Sequence, residues 1–211
     1  IDSISGFITL GYLLDRESRA NDYAEFCDGI IEDLVSKVGA GMLEDGDRVT
    51  TLSVTMSNYV GGMTSDYYAA SLMAGAINLA DWDKTTRQFN LGDEWLLEEK
   101  YQADYIIHSR SIGYAAFGED DLKRTWNLYS QYFTEMDAYK DGNYIILNAN
   151  MPVPLRLAYM ASVFYPDIFG SDYGERMHQI FIDSFVDNLS DIGYDVKEDG
   201  VFLITKDMIG E

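Results

Sequence analysis

Apolar residues recur at helical spacing over the first forty positions of the chain. Spacings of three and four predict a short helix from Ile4 to Leu14 and a longer helix from Glu17 to Val38. Gly39 and Gly41 follow the second run, as is typical of the end of a helix. Asp15 lies between the two runs and is predicted to be the N-cap of the longer helix. The chain is therefore expected to open with two consecutive helices.

Three later runs are rich in β-branched and apolar residues and are typical of strands: Arg48–Thr55, Asp104–His108 and Asn143–Leu147. Helical patterns lie between and after them, at Ser65–Met73, Asp93–Lys100, Asp120–Phe133, Leu155–Phe164 and Tyr173–Asn188. Strands that alternate with helices predict an α/β fold, here a three-layer α/β/α sandwich with a mostly parallel central sheet. The tail from Tyr194 to Ile204 alternates and is predicted to form a final hairpin-like strand, with its turn at Glu198–Gly200.

Polar and aromatic residues collect in the three loops that follow these strands. In parallel sheets, ligands bind at the loops that leave the carboxyl ends of the strands. Arginine suits anionic ligand groups through its bidentate fork, and tyrosine adds flat contact area with a polar tip. Ordinary loop polarity explains each residue about equally well, so both interpretations stay open. The candidate ligand-binding residues are Tyr59, Ser109, Arg110, Tyr114, Asn150 and Arg156.

Composition and charge narrow the class of protein. With 211 residues, 47% hydrophobic and 14% aromatic, the chain can bury a substantial core as a single domain. Its formal net charge is −21, from 36 acidic and 15 basic side chains. We expect no nucleic-acid partner, because a polyanion would be repelled and a basic stripe is missing. An acidic surface can still meet a basic docking partner.

Cysteine content and the length of apolar runs give information on the cellular compartment of the protein. Cys27 is the only cysteine, which excludes an internal disulfide and a cysteine-based zinc site. The sequence shows neither an apolar run long enough to span a bilayer nor a leader peptide with a cleavage site. Because the chain begins at Ile1, we expect a fragment or processed product whose targeting segment lay upstream.

Residue patterns for catalysis and for resident cofactors are missing from the sequence. His108 and His178 stand alone, without a second histidine or a carboxylate three or four positions later. The sequence has no Gly-x-Ser-x-Gly elbow, no GxGxxG turn and no Walker A loop. We therefore predict a binding protein that is not an enzyme, without catalytic residues, a metal site or a cofactor.

One segment carries a resemblance to a known family. Residues Asn148–Ala161, followed by Phe164–Phe169, closely resemble the C-terminal lobe of iron-siderophore and cobalamin solute-binding proteins of ABC importers. Further segments agree in order: Leu13–Ala20, Ala74–Ala80, and Glu94–Leu97 ahead of Ala103–Ile107. The likeness covers nearly the whole chain up to about Asn188.

The resemblance implies a function in uptake. Members of this family have two α/β lobes joined by a rigid helix, and they hold the ligand between the lobes. The ligand implied here is a small-molecule metal complex, namely a ferric siderophore, haem or a corrinoid, which is delivered to the permease of an ABC importer. By motif position, Glu94 is the glutamate of this lobe that docks to permease arginines. The expected location is extracytoplasmic, either periplasmic or lipid-anchored at the cell surface.

The resemblance also implies a division of the chain. Residues 1–40 would be a helical lead-in from a missing N-terminal lobe of the same protein, and residues 41–211 the C-terminal ligand-binding lobe. The sequence departs from the family at Gln102-Ala103-Asp104, where Asn-Pro-Asp is common, and the tail after Asn188 has no recognised counterpart.

Two alternatives stay open beside the importer hypothesis. The chain can be an interaction module outside transport whose cleft has lost its ligand, or a chelatase-like protein on the same fold. A chelatase would need histidines or carboxylates that converge in the cleft, and the sequence does not predict such a cluster.

Overall fold

The computed structural model describes residues 2–39, 41–56, 58–81, 87–90, 92, 94, 98–115 and 117–210. The chain opens with helices α1 (Asp2–Leu13) and α2 (Glu17–Val38), close to their predicted bounds. Gly39 ends α2, and its N–H donates to the carbonyl of Val35 at 3.2 Å. The periodicity of the apolar residues was therefore sufficient to place both helices.

Asp15 does not cap α2, so that prediction was wrong. It lies at φ 53°, in the left-handed region, and Arg16 takes the N-cap position without a side-chain hydrogen bond. The cause is the close packing of α1 on α2, where a Cβ added to Gly11 would lie 2.3 Å from the Cβ of Ala20. The tight link between the two helices requires a left-handed residue, and Asp tolerates that conformation better than most.

One mixed sheet of seven strands lies within the described ranges: β1 (Thr50–Met56), β2 (Tyr59–Gly61), β3 (Ile77–Asn78), β4 (Gln88–Asn90), β5 (Tyr105–Arg110), β6 (Tyr144–Asn148) and β7 (Leu203–Ile204). The order is β4-β2-β1-β5-β6-β7, with β3 beside β1. Pairing is parallel between β1 and β3, β1 and β5, and β5 and β6. The outer strands β2, β4 and β7 pair antiparallel. The predicted parallel centre is confirmed, with antiparallel strands added at both edges.

Helices cover both faces of the sheet: α3 (Asp66–Met73), α4 (Glu119–Ser130), α5 (Asp137–Lys140), α6 (Val153–Phe164), α7 (Pro166–Phe169), α8 (Tyr173–Phe185), α9 (Asp187–Ser190) and α10 (Val196–Asp199). Side chains of β6 alternate between two cores. Tyr144 and Ile146 share one core with Trp126 of α4, whereas Ile145 and Leu147 share the other with residues of α2, α6 and α8. The three-layer α/β/α class is therefore confirmed.

Helix α2 packs as part of this sandwich. It contributes Ile30, Leu34 and Val38 to the core that it shares with α6. The division of the chain at residue 40 stays a prediction. No helix in the described part of the chain is long and apolar enough to cross a membrane.

Two predicted elements need separate comment. The helix expected at Asp93–Lys100 lies largely outside the described residues. At its end, the described residues form a 3-10 turn at Glu99–Tyr101. The hairpin expected in the tail was wrong. The side chain of Asp195 accepts hydrogen bonds from the N–H groups of Lys197 and Glu198, which caps the helical turn α10 where the hairpin turn was expected. Only β7 then joins the sheet, beside β6.

Two glycines in helices allow a matched stability prediction. Gly174, in α8, lies against α6 so closely that an added Cβ would be 2.7 Å from the Cα of Tyr159. We expect Gly174→Ala to lower the free energy of unfolding by about 2 kcal/mol, because overpacking forces the two helices apart. Gly29 is exposed in α2 with no atom within 4 Å of its added Cβ. Gly29→Ala should therefore raise the free energy of unfolding by about 0.5–1 kcal/mol. Urea titrations of both variants provide the measurement, and shifts of the same sign would contradict the packing argument.

Candidate functional site

The carboxyl ends of the three central parallel strands meet at one edge of the sheet. These ends are Met56 of β1, Arg110 of β5 and Asn148 of β6, and Arg110 pairs directly with Asn148 in the ladder. The first, second and third loops, which follow β1, β5 and β6, are those in which ligand-binding residues were predicted. This edge is therefore the candidate binding surface.

Arg110 is held in place by backbone and aromatic contacts at this edge. Its two terminal nitrogens donate to the carbonyl of Thr55 at 3.0 Å and to the hydroxyl of Tyr129 at 3.1 Å. The guanidinium carbon lies 4.3 Å from the centre of the Tyr129 ring, a cation–π contact. Its Nε is buried and has no hydrogen-bond partner among the described residues. Arg110 also forms no ion pair with a carboxylate in those ranges.

Thr55 and Tyr129 were not predicted as site residues. Thr55 joins the first two loops, because its hydroxyl donates to the carbonyl of Tyr59 at 3.4 Å while its own carbonyl binds Arg110. Tyr129 lies on α4, which follows the second loop. Both residues fit a regular strand or helix pattern, so the periodicity of the sequence does not indicate that they hydrogen-bond to Arg110.

A buried histidine lies close to Arg110 in this part of the site. His108 is fully buried, its Nδ1 lies 2.7 Å from the hydroxyl of Tyr144, and its ring is edge-on to Tyr129 at 5.3 Å. Burial, with a smaller contribution from the charge of Arg110, lowers the pKa of His108 to about 3. The imidazole is therefore neutral at physiological pH. Among the described residues, no group of three His, Cys, Asp or Glu side chains is arranged to hold a metal ion.

Asn148 connects the second and third loops. Its Oδ1 accepts from the N–H of Ile112 at 3.3 Å and from the N–H of Asn150 at 3.0 Å, and its Nδ2 donates to the carbonyl of Gly113. Asn148 itself is fully buried. One side chain thus fixes the relative position of two loops. The sequence pattern predicted only a polar residue at this strand end and gave no sign of that role.

Tyr114 points into an aromatic cluster below the second loop. Its ring lies 5.0 Å from Phe202 and 5.6 Å from His178, both edge-on. Burial raises the pKa of Tyr114 to about 12. His178 is fully buried, with Nδ1 3.3 Å from the hydroxyl of Tyr159, and burial lowers its pKa to about 4. The Tyr114 ring thus anchors its loop from below.

Arg156 lies in a different environment from Arg110. It lines a cavity of about 320 Å³ with residues of α1, α2 and α3, among them Phe7, Cys27 and Met73. Burial lowers the pKa of Arg156, and its Nε has no hydrogen-bond partner in the described ranges. Residues 151–152 of the third loop also line this cavity, so Arg156 lies between that loop and the first helices, whereas Arg110 ends β5.

The remaining predicted residues differ in accessibility. Tyr59 begins β2 and is 36% exposed, and Asn150 is also exposed. Ser109 lies within β5 and is only 5% exposed, because the strand runs two residues farther than predicted. Glu94 is exposed, but most of its sequence neighbours lie outside the described residues. Of the six candidates, Tyr59 and Asn150 are therefore exposed, Arg110, Tyr114 and Arg156 are partly exposed, and Ser109 is buried.

The fold is shared with solved periplasmic proteins. The sequence matches no protein-family model and no curated protein. The TroA-like periplasmic binding protein FepB from Veillonella parvula has a TM-score of 0.68 and 19% identity, over 85% of this chain and 56% of that chain. CeuE from Helicobacter pylori, solved as a Ni-His complex, has a TM-score of 0.65 and 12% identity, over 91% and 60%.

A third structure extends the range of ligands among these neighbours. The periplasmic molybdate-binding protein MolA of Haemophilus influenzae, bound to molybdate, has a TM-score of 0.62 and 14% identity, over 94% of this chain and 57% of that chain. This chain therefore spans 56–60% of the length of these three proteins. The structural similarity establishes the fold, but at identities this low it leaves the ligand undetermined. The chain has the fold of one lobe of a TroA-like periplasmic binding protein.

Proposed function

We propose that this chain is the ligand-binding lobe of an extracytoplasmic solute-binding protein that delivers an anionic metal complex to an ABC importer. The observation that carries the proposal is Arg110, held at the strand-end edge by Thr55 and Tyr129 without a carboxylate partner in the described ranges. In a chain with 36 acidic and 15 basic side chains, an arginine without such a partner is available to an anionic ligand. A ferric catecholate or carboxylate siderophore, haem through its propionates and a cobalamin-type corrinoid through its phosphate each offer anionic oxygens of this kind.

The surface of α1 supports a larger, two-lobed protein. Tyr12 and Leu13 are 71% and 70% exposed, and Phe7, Leu10 and Leu14 are at least half exposed. Large apolar side chains exposed together on one helix are typical of a protein interface. We propose that an N-terminal lobe of the same protein covers α1 and completes the cleft. One lobe alone offers half of the contacts and should bind the ligand weakly.

Delivery requires a second surface for the transporter. We propose that Glu94 docks to basic residues of the permease, in keeping with its exposed position. The acidic surface of the chain would favour approach to such a partner.

The ligand-binding proposal is tested by titrating the two-lobed protein with a ferric tris-catecholate, haemin, cyanocobalamin and molybdate, followed by tryptophan fluorescence. We expect saturable binding of one probe and a loss of at least about tenfold in affinity for Arg110→Gln, because a charge-assisted contact is removed. Arg124→Gln is the matched control, since Arg124 is exposed on α4 and pairs with Asp121. It should bind within about twofold of the wild type.

Two results would count against this function. If none of the probes gives a saturable response, the interaction-module alternative becomes the better one. If Arg110→Gln and Arg124→Gln lose affinity equally, Arg110 does not contact the ligand. Thermal unfolding of both variants, measured in parallel, separates lost contacts from lost folding.

A further inference from the structure

The C-terminal tail is part of the folded core. In the segment that runs from Ile192 to Ile204, the side chains of Tyr194, Val196, Phe202 and Ile204 are buried. Its only strand, β7, lies at the edge of the sheet beside β6. The tail is the part of the chain for which the sequence suggested no role.

The tail contacts the second strand-end loop directly. The hydroxyl of Tyr194 donates to the carbonyl of Tyr114 at 2.9 Å, and the Phe202 ring packs edge-on against the Tyr114 ring. Gly113, the residue before Tyr114, has φ +87°. The loop thus turns sharply where the tail holds it.

The tail also contacts the end of β6. The N–H of Asn148 donates to the carbonyl of Phe202 at 2.9 Å, and Asn148 in turn binds Ile112 and Asn150 through its side chain. Phe202 therefore touches one loop through its ring and is linked to two loops through Asn148. A displacement of Phe202 would therefore alter the positions of both loops.

Tyr194 is itself held from two sides. Gln179 of α8 donates from Nε2 to the carbonyl of Tyr194 at 3.0 Å and accepts at Oε1 from the N–H of Val196 at 2.8 Å. Gly200 leaves the space that the Tyr194 hydroxyl needs, since an added Cβ would lie 2.2 Å from it and 2.4 Å from Cε2 of Phe202. The backbone of Gly200, at φ −137°, is accessible to any residue, so the requirement for glycine there comes from these two side chains.

We infer that the tail is a positioning element for the ligand-binding loops, with Tyr194 and Phe202 as positioning residues. Tyr194 fixes the main chain of the loop after β5, and Phe202 fixes both the Tyr114 ring and Asn148. In this way the tail determines how the loop that follows Arg110 is presented at the cleft. The inference rests on the proposed function for its ligand, but its structural part can be tested without one.

The test compares two tyrosine-to-phenylalanine variants by hydrogen exchange of residues 111–115. Tyr194→Phe removes a single hydroxyl and keeps the ring, so we expect about fivefold faster exchange in this loop, the effect of losing one ordinary hydrogen bond. Tyr105→Phe is the matched control, because its hydroxyl donates to the carbonyl of Val163 at 3.3 Å, at the opposite end of β5. It should leave exchange in residues 111–115 unchanged.

A second variant and a ligand measurement complete the test. Gly200→Ala should speed exchange in the same loop by displacing the Tyr194 hydroxyl, without straining the backbone. With whichever of haemin, the ferric tris-catecholate, cyanocobalamin or molybdate binds the two-lobed protein, Tyr194→Phe should raise the dissociation rate about threefold or more. The global unfolding midpoint serves as the reference, since a purely structural role would change stability and leave the dissociation rate alone.

The outcomes separate this inference from the proposed function. Unchanged exchange in residues 111–115 for both Tyr194→Phe and Gly200→Ala would overturn the positioning role. Faster exchange with an unchanged dissociation rate would overturn its relevance to the ligand. If none of the four probes binds, the proposed function fails, while the exchange data still decide whether the tail positions the loop.

Discussion

Acidification from pH 7 to pH 5 is expected to lower the free energy of unfolding by about 2 kcal/mol for each of two buried histidines. Burial lowers the pKa of His178 from 6.5 to about 4, and burial together with the charge of Arg110 lowers that of His108 to about 3. Below pH 6.5 the unfolded chain binds protons that the folded chain does not. Stability is therefore present in full above pH 6.5 and falls as the pH decreases towards the folded pKa values.

Substitution isolates the contribution of each histidine. His178→Gln and His108→Gln remove the titrating ring, so each should reduce the difference in unfolding free energy between pH 7 and pH 5 by about 2 kcal/mol. Urea titrations at pH 5, 6 and 7 provide the measurement. Wild type and variants share the same carboxylates, so the contribution of those groups cancels in the comparison. A variant with the same pH dependence as the wild type would show that its histidine is accessible to protons in the folded state.

Asn148→Asp is expected to cost about 3 kcal/mol of stability at pH 7, because it places a carboxylate in a fully buried position. The new carboxylate would face the carbonyl of Gly113, to which the Asn148 amide donates. The guanidinium of Arg110, on the neighbouring strand, hydrogen-bonds to Thr55 and Tyr129 and not to the Asn148 side chain.

The loss should depend on pH with a definite sign. Burial raises the pKa of the introduced carboxyl group, so the folded variant binds more protons than the unfolded variant as the pH falls. Once protonated, this carboxyl group can also donate to the carbonyl of Gly113, as the asparagine amide does. The stability deficit relative to wild type should therefore be smaller at pH 4.5 than at pH 7.

Asn150→Asp is the matched control for this substitution. Asn150 undergoes the same chemical change two residues away, but it is exposed. We expect its effect to stay within about 0.5 kcal/mol at both pH values. Equal deficits in the two variants would mean that Asn148 does not fix the loops through buried hydrogen bonds.

The comparison with solved structures places these residues on a fold that carries several ligands. The neighbours include a protein solved with Ni-His and another bound to molybdate, so the fold does not select one cargo. Under the proposed function, side chains at the strand-end edge would make that selection. We therefore expect substitutions of Arg110, of Tyr129 or of Asn148, which holds two of the loops, to alter ligand preference.

The sequence pattern determined most of the secondary structure and the α/β class. Apolar spacing placed α1, α2, α6 and α8. Helices α2 and α8 bury one face against the rest of the fold and α6 is buried on most sides, whereas α1 keeps much of its apolar surface exposed. It failed at Asp15 and in the tail, where the outcome depended on contacts between segments. Asp15 was fixed by the packing of α1 on α2, and the tail by the capping of α10 and the pairing of β7 with β6.

The sequence by itself placed Arg110 and Asn150 near the carboxyl ends of two predicted strands, at the edge of a mostly parallel sheet where ligands are expected to bind. Only the tertiary structure showed that Thr55, Tyr129 and Asn148 hold these loops, and that Tyr114 turns inward onto Phe202. The physical reason is the separation in sequence between the residues that interact. Periodicity reports which face of an element is buried, whereas hydrogen bonds such as that from Tyr194 to Tyr114 join residues 80 positions apart, which no local pattern encodes.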